Sequence, residues 1–150
     1  MSKIYYSYNE FRQDIKELAS MLQDKRYDAI LAVARGGLTI GHFLALALDK
    51  RELFALNSIY YNKNQKLDSI KLFNIPNLDS YKRVLIVDDI VDSGDTMEAI
   101  LERLNSLYPN KIFEVATIFY KKDAKIEPTY ALKEANEWIE FFWEVDALLD

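Results

Sequence analysis

The chain has 150 residues, half of them hydrophobic, enough for one domain with a substantial core. Its net charge of −5 lacks the basic excess of a nucleic-acid surface, and without cysteine neither a disulfide framework nor a thiolate metal site is available. No stretch approaches the ~20 apolar residues that span a bilayer, and the N-terminus has no apolar run of the kind that directs secretion, so a soluble cytoplasmic protein is expected, bound to neither membrane nor nucleic acid.

Ser7-Tyr8-Asn9-Glu10 matches a capping box. Phe11, Ile15, Leu18, Ala19 and Leu22 follow at helical spacing, which predicts an amphipathic packing helix. Residues 28–34 form an apolar run of strand length that stops at Arg35-Gly36-Gly37, and residues 38–48 resume as an almost wholly apolar helix. Two glycines after a strand permit unusual backbone angles, and an arginine there can reach an anion as a fork, although such a turn by itself is only a turn. His42, the one histidine, has neither cysteine nor a second histidine to join in a metal cluster and reads as a packed or partly exposed helix residue. Residues 53–61 read as a third strand. The polar, turn-rich stretch 62–77 reads as a loop, long enough to act as a mobile lid.

The informative segment is 84–96. Val84-Leu85-Ile86-Val87 has the uninterrupted apolar character of a strand buried on both faces. It ends in Asp88-Asp89, followed by Ile90-Val91, the polar loop Asp92-Ser93-Gly94-Asp95-Thr96, and a helix from Met97. A strand that passes through such a loop into a helix offers backbone N–H groups and hydroxyls to a phosphate at the carboxyl edge of a sheet. Carboxylates beside a phosphate repel it unless they face sugar hydroxyls, a Mg²⁺ ion or a developing positive charge. An Asp-Asp pair alone is ordinary helix capping; the whole pattern is what points to phosphate.

Pro109-Asn110 marks a stop, and 111–120 read as a further strand that leads into Lys121-Lys122-Asp123. Lys121 follows the strand end directly, on the edge that carries Asp88 and Asp92, whereas Lys122 reads as a solvated turn residue. The tail contains Ala135-Asn136-Glu137-Trp138-Ile139-Glu140-Phe141-Phe142-Trp143-Glu144. Its aromatics bury apolar area by default, but an indole is also a stacking platform for a flat heterocycle.

The segment 84–96 resembles the phosphoribosyl-pyrophosphate signature of the type I phosphoribosyltransferases: four apolar residues, two acids, two apolar residues, then Asp-Thr/Ser-Gly-x-Thr, with Ser93 where threonine is usual. Ala34-Arg35-Gly36-Gly37 is similar to the pyrophosphate loop of those enzymes, and the tail to the hood of the xanthine-guanine phosphoribosyltransferases, although their proline is absent here. Tyr130-Ala131-Leu132 is similar to the hypoxanthine-guanine enzymes. The resemblance implies one α/β domain over residues 1–150, a mostly parallel sheet of about five strands flanked by helices, and a small aromatic hood from about residues 128–150, with residues 1–8 as a second candidate contributor.

It further implies Mg²⁺-dependent transfer of a 5-phosphoribosyl group from phosphoribosyl pyrophosphate to N9 of guanine, hypoxanthine or xanthine, in purine salvage. The implied catalytic residues are Asp92, Asp88 and Asp89, the last two also holding the metal. The 5′-phosphate falls to Asp92, Ser93, Gly94, Asp95 and Thr96. Pyrophosphate falls to Arg35 and Gly36 of the glycine loop, where a cis peptide is common, and to Lys66 of the mobile loop, and the base to Lys121, Trp138, Ile139 and Glu144. A homodimer or homotetramer is implied as well. The alternatives are a transferase for another base, or a non-catalytic nucleotide-sensing regulator on the same fold.

Overall fold

The computed structural model describes residues 2–62 and 68–149. β1 (Lys3–Tyr6) leads to Ser7, whose hydroxyl accepts the Glu10 N–H while the Glu10 carboxylate accepts the Ser7 N–H, so the expected capping box opens α1 (Tyr8–Leu22). Next come β2 (Ala29–Ala34), α2 (Gly36–Ala47), β3 (Leu53–Asn62) and β4 (Asp68–Phe73). β5 (Arg83–Val91) feeds α3 (Asp95–Leu107), then β6 (Ile112–Tyr120) and β7 (Lys133–Glu134). β8 (Trp138–Phe141) and the short α4 (Phe142–Val145) end the described chain.

Among the described residues six strands form the main sheet in the order β4-β3-β2-β5-β6-β7, where about five were expected. All neighbours are parallel except the antiparallel edge pair β3–β4. β2 and β5 lie at the centre, and their apolar runs fill both faces. Ile30, Ala32, Leu85 and Val87 pack with α1 and α2, whereas Leu31, Val33, Val84 and Ile86 join Met97, Ile100 and Leu104 of α3. This double burial is why neither strand alternates in sequence. Among the described residues no helix is long and apolar enough to cross a membrane.

Two expectations are corrected. The stretch 62–77 is not loop throughout, because residues 68–73 form β4 and Leu72 packs into the α3-side core. An edge strand needs only one half-buried face, and the alternation Ser69-Ile70-Lys71-Leu72 supplies it. β5 does not end at Asp88-Asp89 either. It runs on to Val91, with Asp88 opposite Thr117 and Ile90 opposite Phe119 on β6, so the two acids lie within a strand.

The tail forms a separate two-stranded parallel sheet in which β8 pairs with β1, from Lys3 opposite Trp138 to Tyr6 opposite Phe141. Tyr6, Phe119, Phe141 and Trp143 make an aromatic cluster beneath it, with Phe141 and Trp143 stacked at 4.7 Å. Packing thus accounts for Trp143, whereas Trp138 stays 55% exposed.

Candidate functional site

The carboxyl ends of β2, β5 and β6 open onto two adjoining cavities. The first, about 250 Å³, is lined by Arg35, Gly36, Asp88, Ser93, Gly94 and Thr96 among others. The second, about 330 Å³, is lined by Asp89, Lys121, Trp138, Ile139, Phe141 and Glu144, with Ser2, Asn136 and Glu137 at its rim. Ile90 and Asp92 line both and form the partition between them. The adjacent acids of β5 are therefore divided, Asp88 to the first cavity and Asp89 to the second.

The first cavity is shaped by glycine. Gly94 has φ +90° and caps α3, and a Cβ there would stand 2.9 Å from the backbone nitrogens of Lys125 and Ile126. Gly36 and Gly37 do not have positive φ; what they supply is room. A Cβ on Gly36 would lie 2.2 Å from Asp89 Oδ2, and one on Gly37 2.4 Å from the Val87 carbonyl oxygen. The freedom of backbone angle expected of this pair is corrected to close approach. The Ala34–Arg35 peptide bond is cis, as the resemblance implied.

Burial drives the electrostatics. It pushes both the Asp88 and Asp89 carboxyls above the ordinary aspartate value, and the neighbouring Asp89 charge raises Asp88 further. Each is steadied by a local donor: the Asp89 N–H reaches Asp88 Oδ1 at 2.9 Å, and the Ile90 N–H reaches Asp89 Oδ1 at 2.8 Å. Burial also raises Glu144, with the Asp89 charge adding to the effect and Arg35 opposing it. Asp92 and Lys121, both lining the second cavity, form an ion pair at 2.8 Å. The pair is half exposed, so it is worth only ~0–1 kcal/mol and an incoming group can part it cheaply.

Asp95 stands apart: it lines neither cavity, and its carboxylate is held by Lys125 at 2.6 Å, which lowers its pKa. Its N–H donates to Ser93 Oγ at 3.2 Å. The Lys125 N–H donates to the Ser93 carbonyl at 2.9 Å, so the loop after β6 braces the phosphate-type turn. Lys66 lies outside the described residues. No role is assigned from the sequence to Lys125, to Asn136 and Glu137 of the aromatic tail, or to the partition residue Ile90 of the segment 84–96. Asn136 and Glu137 directly precede Trp138, and that adjacency was the available signal.

Among the described residues no group of three or more His, Cys, Asp or Glu is disposed to hold a metal. Two carboxylates where the cavities meet suit an ion that takes hard oxygen ligands and fills its other positions with water and substrate oxygens, as Mg²⁺ does. They do not suit a zinc ion, which needs three or four protein ligands.

A family model described as phosphoribosyl transferase domain matches residues 1–149. The solved xanthine-guanine-hypoxanthine phosphoribosyltransferase of Helicobacter pylori superposes with a TM-score of 0.90 at 41% identity, covering 97% of this chain and 96% of that one. A purine phosphoribosyltransferase from Pyrococcus horikoshii gives 0.85 at 28% identity, covering 100% and 99%. Among curated relatives, the xanthine-guanine phosphoribosyltransferase of Cereibacter sphaeroides is 29% identical over 150 residues, 94% of this chain and 86% of that one.

Proposed function

The chain belongs to the phosphoribosyl transferase family, and from that premise we propose that it is a purine phosphoribosyltransferase that moves the 5-phosphoribosyl group of phosphoribosyl pyrophosphate to N9 of guanine, hypoxanthine or xanthine. The carrying observation is the pair of cavities that meet at Ile90 and Asp92. One is polar and built around glycine turns, the other is walled by Trp138, Ile139 and Phe141, and together they match a sugar phosphate joined to a flat base.

In this reading the 5′-phosphate lies against the turn 92–96, where Ser93, Gly94 and Thr96 offer hydroxyls and backbone donors at the start of α3. Asp95 contributes through its backbone, its side chain being paired with Lys125. Arg35 and Gly36 receive the pyrophosphate, with Lys66 carried forward from the resemblance. Asp88 and Asp89 bind the ribose hydroxyls, stabilise positive charge at the anomeric carbon and would hold Mg²⁺. The chemistry that Mg²⁺ supplies when bound is neutralisation of the diphosphate leaving group.

The bond from the anomeric carbon to the pyrophosphate oxygen breaks as the bond to N9 forms. Asp92 accepts the hydrogen at N7 of the base, and Lys121 donates to the 6-oxo group. Both are drawn from their mutual ion pair as the base enters. Trp138 stacks on the ring, and Ile139 main-chain groups and Glu144 complete the base site. The proposal extends to a cytoplasmic location and to a homodimer or homotetramer.

The test is nucleotide formation from each of the three purines with phosphoribosyl pyrophosphate and Mg²⁺. No product from any of them overturns the acceptor class. Asp92→Asn is expected to lower turnover by about 10²–10⁴ with phosphoribosyl pyrophosphate binding retained; near wild-type turnover removes its role.

A further inference from the structure

Asp14 lies on the inward face of α1 and is only 5% exposed. Its Oδ2 accepts the Tyr6 hydroxyl at 2.5 Å and is paired with Lys133 Nζ at 2.9 Å. The Lys133 ammonium also sits 5.4 Å from the centre of the Tyr6 ring, which closes a three-membered contact. A carboxylate withdrawn from water this far is costly unless fully partnered, and an apolar trio of similar volume would hold the elements as firmly. What the polar arrangement adds is a single directional solution.

The elements it joins are informative. Tyr6 ends β1, in register with Phe141 of β8, and Lys133 opens β7, from which the chain runs through Ala135 into Asn136, Glu137 and Trp138. Both approaches to the outer wall of the second cavity therefore converge on one oxygen of Asp14. None of the three residues lines either cavity. The Ala135 N–H is tied to the Tyr120 carbonyl at 2.8 Å, and the Trp138 N–H to the Ser2 carbonyl at 3.3 Å, so the wall is anchored at each flank, and the Asp14 contact links the strands that lead to it.

We infer that Asp14, acting through Tyr6 and Lys133, is a positioning residue for the purine-binding wall: it fixes β1 and β7 relative to one another so that the segment 136–141 closes over the second cavity at the spacing of a flat ring. This rests on the reading of that cavity as the base site.

The test is steady-state kinetics on the full chain, with guanine, hypoxanthine and xanthine each varied against phosphoribosyl pyrophosphate, for the wild type, Tyr6→Phe, Asp14→Asn and Lys133→Gln. Asp14→Asn is isosteric, Tyr6→Phe deletes only the hydroxyl, and Lys133→Gln removes the charge while keeping a polar side chain. The expected result for Asp14→Asn is a KM for the purine raised by roughly ten- to a hundredfold, the upper end being what an Å-scale misplacement can cost. The KM for phosphoribosyl pyrophosphate stays unchanged, because none of the three residues lines the first cavity.

The double variant Asp14→Asn/Lys133→Gln should match Asp14→Asn alone, since the groups act as a unit. A purine KM unchanged in every variant, additive effects in the double variant, or both KM values moving together with a lowered melting temperature would each overturn the inference. Should Asp14→Asn not fold, Tyr6→Phe and Lys133→Gln each leave Asp14 one partner and carry the same comparison. A wild-type enzyme that uses no purine refutes the base-site reading and this inference with it. An active wild type with unmoved variants refutes this inference alone.

Discussion

Gly36 is restricted to a hydrogen side chain by a carboxylate rather than by its backbone angles. With Asp89 Oδ2 2.2 Å from the place where a Cβ would stand, Gly36→Ala must displace either the turn or the acid. Overpacking of this kind costs about 1–3 kcal/mol, and here it falls where the pyrophosphate and ribose sites are proposed to meet. The expected outcome is a loss of phosphoribosyl pyrophosphate affinity, read by calorimetric titration, larger than any loss of purine affinity. Equal losses would argue against that assignment. Gly94→Ala is a different case, because its φ of +90° strains any side chain and its Cβ would meet backbone nitrogens at 2.9 Å. We expect at least ~1–3 kcal/mol of lost stability in urea unfolding, and no rescue by Ser, which keeps the Cβ and adds a hydroxyl.

At the scale of elements, β2 and β5 are joined at their starts by one side chain. Asp28 Oδ2 accepts the N–H groups of Lys82 and Arg83, each at 2.8 Å, while the Asp28 N–H returns a bond to the Arg83 carbonyl. The Arg83 hydrogen bond is the largest cause that holds the Asp28 carboxyl below its ordinary value of 3.8. Because the folded pKa is depressed, the stabilisation is complete above about pH 4 and is lost as the pH falls through the lower folded value. Asp28→Asn should therefore cost ~1 kcal/mol at pH 7, and the gap to the wild type should narrow in urea unfolding below about pH 4. A constant gap would sink the claim. Legibility in the sequence also divides by element. The double burial of 84–87 left an unbroken apolar run, and the capping box at Ser7 is a local code, so both could be read directly. The continuation of β5 through Asp88 could not, because carboxylates favour no strand and what holds them there is register with Thr117 and Phe119 of β6. The site follows the same rule. Residue types in the turn 92–96 announced a phosphate-type loop, whereas the division of Asp88 and Asp89 between two cavities depends on a wall in which Tyr6 pairs with Phe141, far apart in the chain.

For the whole molecule, the outer face of α2 is the feature that the fold leaves unexplained. The helix has no Asp, Glu, Lys or Arg over Gly36–Ala47, and Leu38, His42 and Leu46, spaced four apart on one face, are exposed, Leu46 by 67%. A helix apolar on all sides is normally covered on all sides. A stripe of this kind along one helix can meet its own copy about a twofold axis, the commonest symmetry of soluble assemblies. The stripe also lies on the helix that begins at Gly36, beside the proposed pyrophosphate loop, so pairing through it would brace that loop from behind. If this face holds two copies together, light scattering should give the wild type a mass of two or four times 17.5 kDa. Leu46→Glu, which buries a charge in the contact without touching either cavity, should lower that mass by half or more and raise the KM for phosphoribosyl pyrophosphate more than that for purine. A monomeric wild type, or a variant of unchanged mass, would remove α2 from any interface and leave its exposed leucines without a structural reason.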